Sequence, residues 1–311
     1  MSEQQKKPIL AVLGPTASGK TSLALELAER HGCEIVNCDS RQIYREMSIG
    51  TAHPTADEMR WAPHHLFSIV LPDRSFSAAD YAEMATTKIR DIWQRGRVPL
   101  LAGGTGFYYD TLEQGLGPAG NDQKLAEQLR NELEKIGLAA MLERLQTLDP
   151  AASSQIDVNN ARRVLRAIEI VTTTGRPLAE NIRVSPLPEA AFMPVVVTRP
   201  RALLHDNISC RVEKMLEDGL ESEVRGLVKR YGRQAPGLNS IGYSEWFDFF
   251  DEKISLAEVC EAVIIHTRQY AKRQETWFRR RPGPPIYDLA EPAARAAIFA
   301  NVAEFLAAFA L

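Results

Sequence analysis

Eight consecutive residues, Gly14-Pro15-Thr16-Ala17-Ser18-Gly19-Lys20-Thr21, follow the pattern G-x-x-x-x-G-K-[ST]. In such a loop the backbone N–H groups and the N-terminus of the following helix wrap phosphate oxygens. Lys20 adds positive charge, and the Thr21 hydroxyl is placed to hold Mg²⁺. Gly14, Thr16, Ala17, Ser18, Gly19, Lys20 and Thr21 are therefore the expected diphosphate-binding set; the loop leaves open which diphosphate it holds. Asp39 follows a short apolar run, and an ionised carboxylate there has two possible roles. It could coordinate Mg²⁺ in an NTPase, or it could take a proton from an attacking nucleophile. Gly103-Gly104-Thr105-Gly106 is a third candidate, because glycines let a ligand approach the backbone and Thr105 offers a hydroxyl.

Two clusters of positive charge stand apart from these loops. Near the C-terminus Arg268, Lys272, Arg273, Arg279, Arg280 and Arg281 are set against a single acid, Glu275, with Tyr270, Trp277 and Phe278 interleaved. Arg268, Lys272 and Arg279 fall on one helical face, a stripe suited to a phosphate backbone. The second cluster is Arg162, Arg163 and Arg166. Two separated patches suit a long anionic polymer better than a small metabolite. Cys33, Cys38, Cys210 and Cys260 show no C-x-x-C pairing and no ligand-like histidine spacing, which argues against a zinc site or a disulfide framework. His64 and His65 are adjacent and so diverge on a strand or helix; they read as core or loop histidines.

The elements that must position these residues show in the apolar spacing. Residues 8–13 form an apolar run into Gly14, and Leu23, Ala24, Leu27 and Ala28 recur at helical spacing before Gly32, giving strand, loop, helix. Residues 34–38 and 97–102 are two further short apolar runs, ending at Asp39 and Gly103. Strands alternating with helices predict a parallel sheet, whose ligands lie beyond the carboxyl ends of the strands. Gly14, Asp39 and Gly103 should therefore open into one crevice. Beyond residue 117 the pattern changes: residues 123–147 and 160–173 read as charged amphipathic helices without strand candidates. The strand pattern resumes at residues 195–197, a helix is predicted over 203–229, and residues 286–289 give a last strand. The expected organisation is a core of residues 1–117 and 187–311 interrupted by a helical insertion, 118–186.

At 311 residues, with 45% hydrophobic and 25% charged residues, the composition is globular. The formal charge of -3 gives no global attraction to nucleic acid, so such a partner must be met by the local patches. Residues 1–7 are polar and the run 9–13 is too short for a signal core or membrane span. The expectation is a cytoplasmic protein with no membrane partner.

These residues resemble the tRNA dimethylallyltransferase family, also called tRNA isopentenyltransferases. Besides the phosphate loop, Asp39-Ser40-Arg41-Gln42-Ile43-Tyr44, Ile49-Gly50-Thr51-Ala52, Gly103-Gly104-Thr105-Gly106, Ser240-Ile241-Gly242-Tyr243 and Thr267-Arg268-Gln269-Tyr270-Ala271-Lys272-Arg273-Gln274 carry the resemblance through nearly the whole chain. It implies an α/β fold, a P-loop-kinase-like parallel sheet flanked by helices, with an inserted all-helical domain that grips the tRNA anticodon stem. It implies transfer of a dimethylallyl group from dimethylallyl diphosphate to N6 of the adenosine immediately 3′ of the anticodon, with Mg²⁺ as cofactor and a monomer as the working form. Asp39 is then the base, Thr105 lies near the reacting centre, and Arg211 joins Lys20 and Thr21 at the leaving diphosphate. Contacts to tRNA carry over to Asp39, Ser40, Arg41, Gln42, Asn159, Asn160, Ala161, Arg162, Arg163, Arg268, Lys272 and Arg273. The chain departs from the usual family pattern at Glu46, Ser48 and His53, at Asp157 and Val158, and at Asn207, where many members carry arginine. Three other readings share the phosphate loop: a small-molecule kinase, a prenyltransferase of free AMP or ADP, and an RNA-binding NTPase without transferase chemistry. The kinase and free-nucleotide readings leave the two basic patches without a purpose; the NTPase reading predicts RNA-stimulated ATP hydrolysis.

Overall fold

The structure, a computed structural model, describes residues 6–116, 123–181, 184–281 and 283–309. Six strands, β1 (Lys7–Leu13), β2 (Glu34–Asn37), β3 (His64–His65), β4 (Pro99–Gly103), β5 (Ala190–Thr198) and β6 (Ile286–Asp288), form one parallel sheet in the order β3-β2-β4-β1-β5-β6. The central strands are apolar on both faces because helices cover both. Alternation along β1 sends Ile9, Ala11 and Leu13 to one face and Leu10 and Val12 to the other. The first face packs on α3 (Ala78–Gln94) and α4 (Gly106–Glu113), through Tyr81, Ile89 and Tyr109; the second packs on α1 (Lys20–His31) and α11 (Pro292–Ala307), through Leu23, Leu27 and Ile298. Gly32 at φ 62 ends α1, and a Ser77–Asp80 capping box opens α3, so both helices stop and start where short-range chemistry dictates.

A third apolar core lies beside the sheet. Here α7 (Arg201–Glu217), α8 (Leu220–Tyr231), α9 (Trp246–Phe250) and α10 (Leu256–Arg280) bury Val212, Met215, Val224, Trp246, Val259 and Val263. The segment after β2 joins them with Ile43, Tyr44 and Met47, ahead of the short α2 (Glu58–Trp61). The single helix expected over 203–229 is two. Gly219 adopts φ 95, a left-handed conformation that ends α7 and starts α8, although apolar spacing continues across the break. β3, only two residues long, gives no periodic signal. His65 of that strand bonds Glu34 at 2.7 Å, and Arg95 grips the same carboxylate at 2.6 Å.

The chain divides into two compact units, Met1–Glu113 with Pro186–Leu311, and Gln114–Ser185. The 117/118 boundary expected from the sequence lies outside the described residues. The second unit contains α5 (Gln123–Leu148) and α6 (Ala161–Thr174), packed through Leu129, Met141, Leu145, Val164 and Ile168. Gly137, at φ 79 and ψ 170, breaks the helical path of α5. Asn160 caps α6 by accepting from the Arg163 N–H at 3.3 Å.

Candidate active site

The crevice predicted from topology forms at the carboxyl ends of β1, β2 and β4. Leu13 pairs with Gly103, the Cys38 N–H donates to the Ala102 carbonyl at 2.8 Å, and the Thr105 N–H donates back to the Cys38 carbonyl at 3.1 Å. A Cβ on Gly103 would lie 2.0 Å from that Cys38 oxygen, so no larger residue permits the crossing. Above these ends lies a cleft of about 1030 Å³ whose lining includes Thr16, Lys20, Thr21, Asp39, Arg211 and Tyr270.

The phosphate loop is held by groups remote in sequence. The Thr16 N–H donates to Gln274 Oε1 at 2.8 Å. Asn207 Nδ2 donates to the Ala17 carbonyl and Arg199 Nε to the Ser18 carbonyl, each at 3.1 Å, and Arg211 Nη1 reaches Thr16 Oγ1 at 3.3 Å. Lys20 Nζ donates to the Pro15 carbonyl at 2.6 Å. Burial lowers the Lys20 pKa to about 8, with the Asp39 charge opposing and the Arg211 charge reinforcing the fall. Arg211 is also lowered by burial and supported by Asp39. Two cations thus share one neighbouring carboxylate, an excess of positive charge suited to a polyanion.

Asp39 sits just past β2. Its N–H donates to Asn37 Oδ1 at 2.8 Å, while its own Oδ1 accepts from the Arg41 N–H at 2.9 Å. This Asx-type turn orients the carboxylate and leaves Oδ2 without a hydrogen bond from the described residues. Thr105 Oγ1 accepts from the Ser40 N–H at 2.9 Å, tying the β2 loop to the β4 loop. Tyr270 lies against both: burial, then the Asp39 charge, pushes its hydroxyl up to about 12 against a hydrogen bond from Thr105. Tyr270 therefore remains a neutral phenol at physiological pH.

Other expected residues fall into separate places. Gln42 Nε2 donates to the carbonyls of Ala52 (2.7 Å) and Thr51 (3.2 Å), which makes it a brace of the cleft wall. Arg41, Lys272 and Arg273 are exposed, with Arg273 over the Tyr270 ring at 5.7 Å. Arg268 donates to Ser209 Oγ at 3.0 Å, joining α10 to α7. Arg281 is bound by Asp110 and Glu113 and so belongs to the packing of the core, which removes it from the expected basic cluster. In the helical unit Arg162 and Arg163 are exposed on the first turn of α6, whereas Arg166 pairs with Glu169 at 2.8 Å. Asn159 precedes this turn, and its N–H donates to Asp157 Oδ1 at 3.1 Å.

No role at the phosphate loop was read from the sequence for Gln274, Arg199 or Asn207, although Gln274 closes one of the resemblance motifs and Asn207 marks a departure from the family pattern, because nothing local marks a side chain that reaches 258 positions away. Gln274 is buried, and its Nε2 donates to the Gly104 carbonyl at 2.9 Å; one amide locks two ligand loops together. Gln274→Leu strands the Thr16 N–H and the Gly104 carbonyl, at about 1–3 kcal/mol each. A lower urea midpoint together with a raised KM for the diphosphate substrate is the expected result.

Known proteins match this arrangement along its length. The IPP transferase family profile matches residues 42–281. The tRNA dimethylallyltransferase of Shouchella clausii is 40% identical over 304 residues, covering 97% of this chain and 98% of that one. This chain belongs to the IPP transferase family. The tRNA dimethylallyltransferase of Geobacter metallireducens, another relative, is 44% identical over 284 residues, 90% of this chain and 92% of its own. Among solved structures, a tRNA isopentenylpyrophosphate transferase from Bacillus halodurans superposes with a TM-score of 0.70 at 36% identity, covering 96% of each chain. A eukaryotic dimethylallyltransferase acting on tRNA superposes with a TM-score of 0.83 at 25% identity, covering 97% of this chain and 80% of its own. In this chain Asn207 holds the Ala17 carbonyl, so the asparagine that departs from the usual arginine still serves the phosphate loop.

Proposed function

We infer that this chain transfers a dimethylallyl group from dimethylallyl diphosphate to N6 of the adenosine immediately 3′ of the anticodon in tRNA, releasing diphosphate. The observation that carries the reading is the convergence of Lys20, Arg211 and the phosphate loop with Asp39 in a single cleft, in a chain whose relatives are named tRNA dimethylallyltransferases. All of these groups come from one chain, which suits a monomer.

The exocyclic amine of adenine is a weak nucleophile because its lone pair is delocalised into the ring. As N6 attacks the first carbon of the dimethylallyl group, the C–O bond to diphosphate breaks and the N6 proton passes to Asp39, whose free Oδ2 is the available acceptor. Negative charge grows on the departing oxygen, and Lys20, Arg211 and the loop amides stabilise it without rearrangement. The target base must leave its stack to enter such a cleft.

The loop fits a metal-bearing diphosphate. Ser18 Oγ is buried with no hydrogen-bond partner among the described residues, a polar atom that a ligand or its water shell would satisfy, and Thr21 presents an exposed hydroxyl on the first turn of α1. Among the described residues no three His, Cys, Asp or Glu side chains cluster as metal ligands. Thr21 would therefore be the residue that holds Mg²⁺, and the ion would supply further charge neutralisation to the leaving group.

The decisive test incubates the protein with Mg²⁺, labelled dimethylallyl diphosphate and an anticodon stem-loop RNA, with ATP as control. Label on N6 of the adenosine 3′ of the anticodon is expected. No label on RNA, or ATP hydrolysis at a comparable rate, overturns the reading. The exposed pair Arg162 and Arg163 suits the RNA backbone; replacing both with alanine should weaken stem-loop binding and reduce the slope of log K against log salt by about 1.5. An unchanged slope would place the RNA elsewhere.

A further inference from the structure

One carboxylate on α8 holds a turn in the cleft wall. Glu223 accepts from three successive backbone N–H groups: Oε2 from Ser48 and Ile49, each at 2.9 Å, and Oε1 from Gly50 at 3.2 Å. The same Oε1 accepts the Tyr243 hydroxyl at 2.7 Å. Consecutive N–H groups of this kind form a concavity that binds anions, and here an internal carboxylate fills it. The Tyr243 ring is buried so close to Gly50 that a Cβ there would come within 2.6 Å of it. Burial and the charge of Glu223 hold the Tyr243 hydroxyl well above its ordinary pKa, so it remains a proton donor to the carboxylate.

The clamped turn leads directly to the leaving-group machinery. Ser48, Ile49, Gly50 and Thr51 all line the cleft, and the Thr51 hydroxyl closes the turn onto the Met47 carbonyl. The Thr51 carbonyl then accepts from Arg211 Nη2 at 3.4 Å and Gln42 Nε2 at 3.2 Å. Arg211 has one other hydrogen bond among the described residues, to Thr16 Oγ1 of the phosphate loop. Its guanidinium is thus suspended between that loop and the turn. A long, rotamer-rich side chain keeps one orientation only while both acceptors stay in place.

We propose that Glu223 is a positioning residue for the grip on the leaving diphosphate: by clamping residues 48–50 it fixes the Thr51 carbonyl, and through it the orientation of Arg211. The inference rests on Arg211 being a partner of the leaving diphosphate. A tie that merely joined α8 to the turn would affect folding and every substrate alike; positioning through Arg211 acts on diphosphate alone.

Glu223→Gln keeps the shape but turns an amide NH₂ toward backbone donors, so part of the clamp is lost. The expected result is roughly a tenfold weaker inhibition by inorganic diphosphate and a matching rise in KM for dimethylallyl diphosphate, with stem-loop RNA affinity unchanged. In an Arg211→Gln background the same substitution should add less than about twofold, since both changes act on one unit. Tyr243→Phe removes one of the four bonds and should give a smaller loss in the same direction; it keeps the test readable should Glu223→Gln fail to fold. The proposal is overturned if the Glu223→Gln effect persists in full without Arg211, or if Tyr243→Phe and Glu223→Gln both leave diphosphate inhibition as it was. Should Arg211→Gln alone leave diphosphate inhibition intact, the premise about Arg211 falls instead, and the proposal with it.

Discussion

Asp39→Asn should cut single-turnover prenyl transfer by about 10²–10⁴-fold while leaving stem-loop affinity within about twofold. The asparagine oxygen can still accept from the Arg41 N–H, so the turn that places the side chain survives and the change isolates the loss of a proton acceptor. An amide has no useful basicity at this position, and the N6 proton then has no partner in the transition state. The measurement is the rate of N6 prenylation at saturating RNA and dimethylallyl diphosphate, set beside equilibrium RNA binding by the same variant. Unchanged turnover would dismiss Asp39 as the base; a lost affinity with normal turnover would make it a binding group.

Removing Lys20 should have the second largest effect and should separate function from stability. Lys20→Met is expected to reduce kcat/KM for dimethylallyl diphosphate by about 10²–10³-fold, the loss of one preorganised charge on the leaving oxygens. Its pKa near 8 gives a further signature in the unaltered protein. Because kcat/KM reports the free enzyme, it should be level below pH 8 and fall as pH rises beyond it. The kcat should hold to higher pH, since bound diphosphate restores the ammonium. The stability effect has the opposite sense. Between about pH 8 and the ordinary lysine value of 10.5 the folded chain binds fewer protons than the unfolded chain, so this residue makes stability rise with pH through that window. Below it, a charge is being kept in a place that disfavours it. Lys20→Met should therefore melt no lower than the parent at neutral pH despite its lost activity, as expected where a binding site holds a charge for function. A lower melting temperature would show that the Lys20 to Pro15 hydrogen bond outweighs the burial of the charge.

Much of the machinery was legible because its chemistry is local. A phosphate loop is eight consecutive residues whose glycines and lysine act on the backbone they belong to, and a parallel sheet fixes that strand-end loops gather on one side. From those two facts Gly14, Asp39 and Gly103 could be placed in a common crevice without coordinates. The helical character of residues 123–147 and 160–173 was equally plain, since amphipathic spacing is a property of the segment itself. The break at Gly219 was not, because apolar spacing on either side of one left-handed residue looks continuous.

The basic patches show the limit most clearly. Charge can be counted along a sequence, but whether an arginine is free depends on what folds beside it. Arg281 meets Asp110 and Glu113 from α4, and Arg166 meets Glu169 one turn on, whereas Arg162, Arg163 and Lys272 stay exposed. By itself the sequence determined the phosphate-loop pattern, that Asp39 stands at a neighbouring strand end, and that a helical segment interrupts a parallel α/β core. Only the tertiary structure decided how that loop is held. Gln274, Arg199, Asn207 and Glu223 each bond a loop more than 170 residues away in the chain, and pairings over such distances are set by the packing of whole elements rather than by any local pattern.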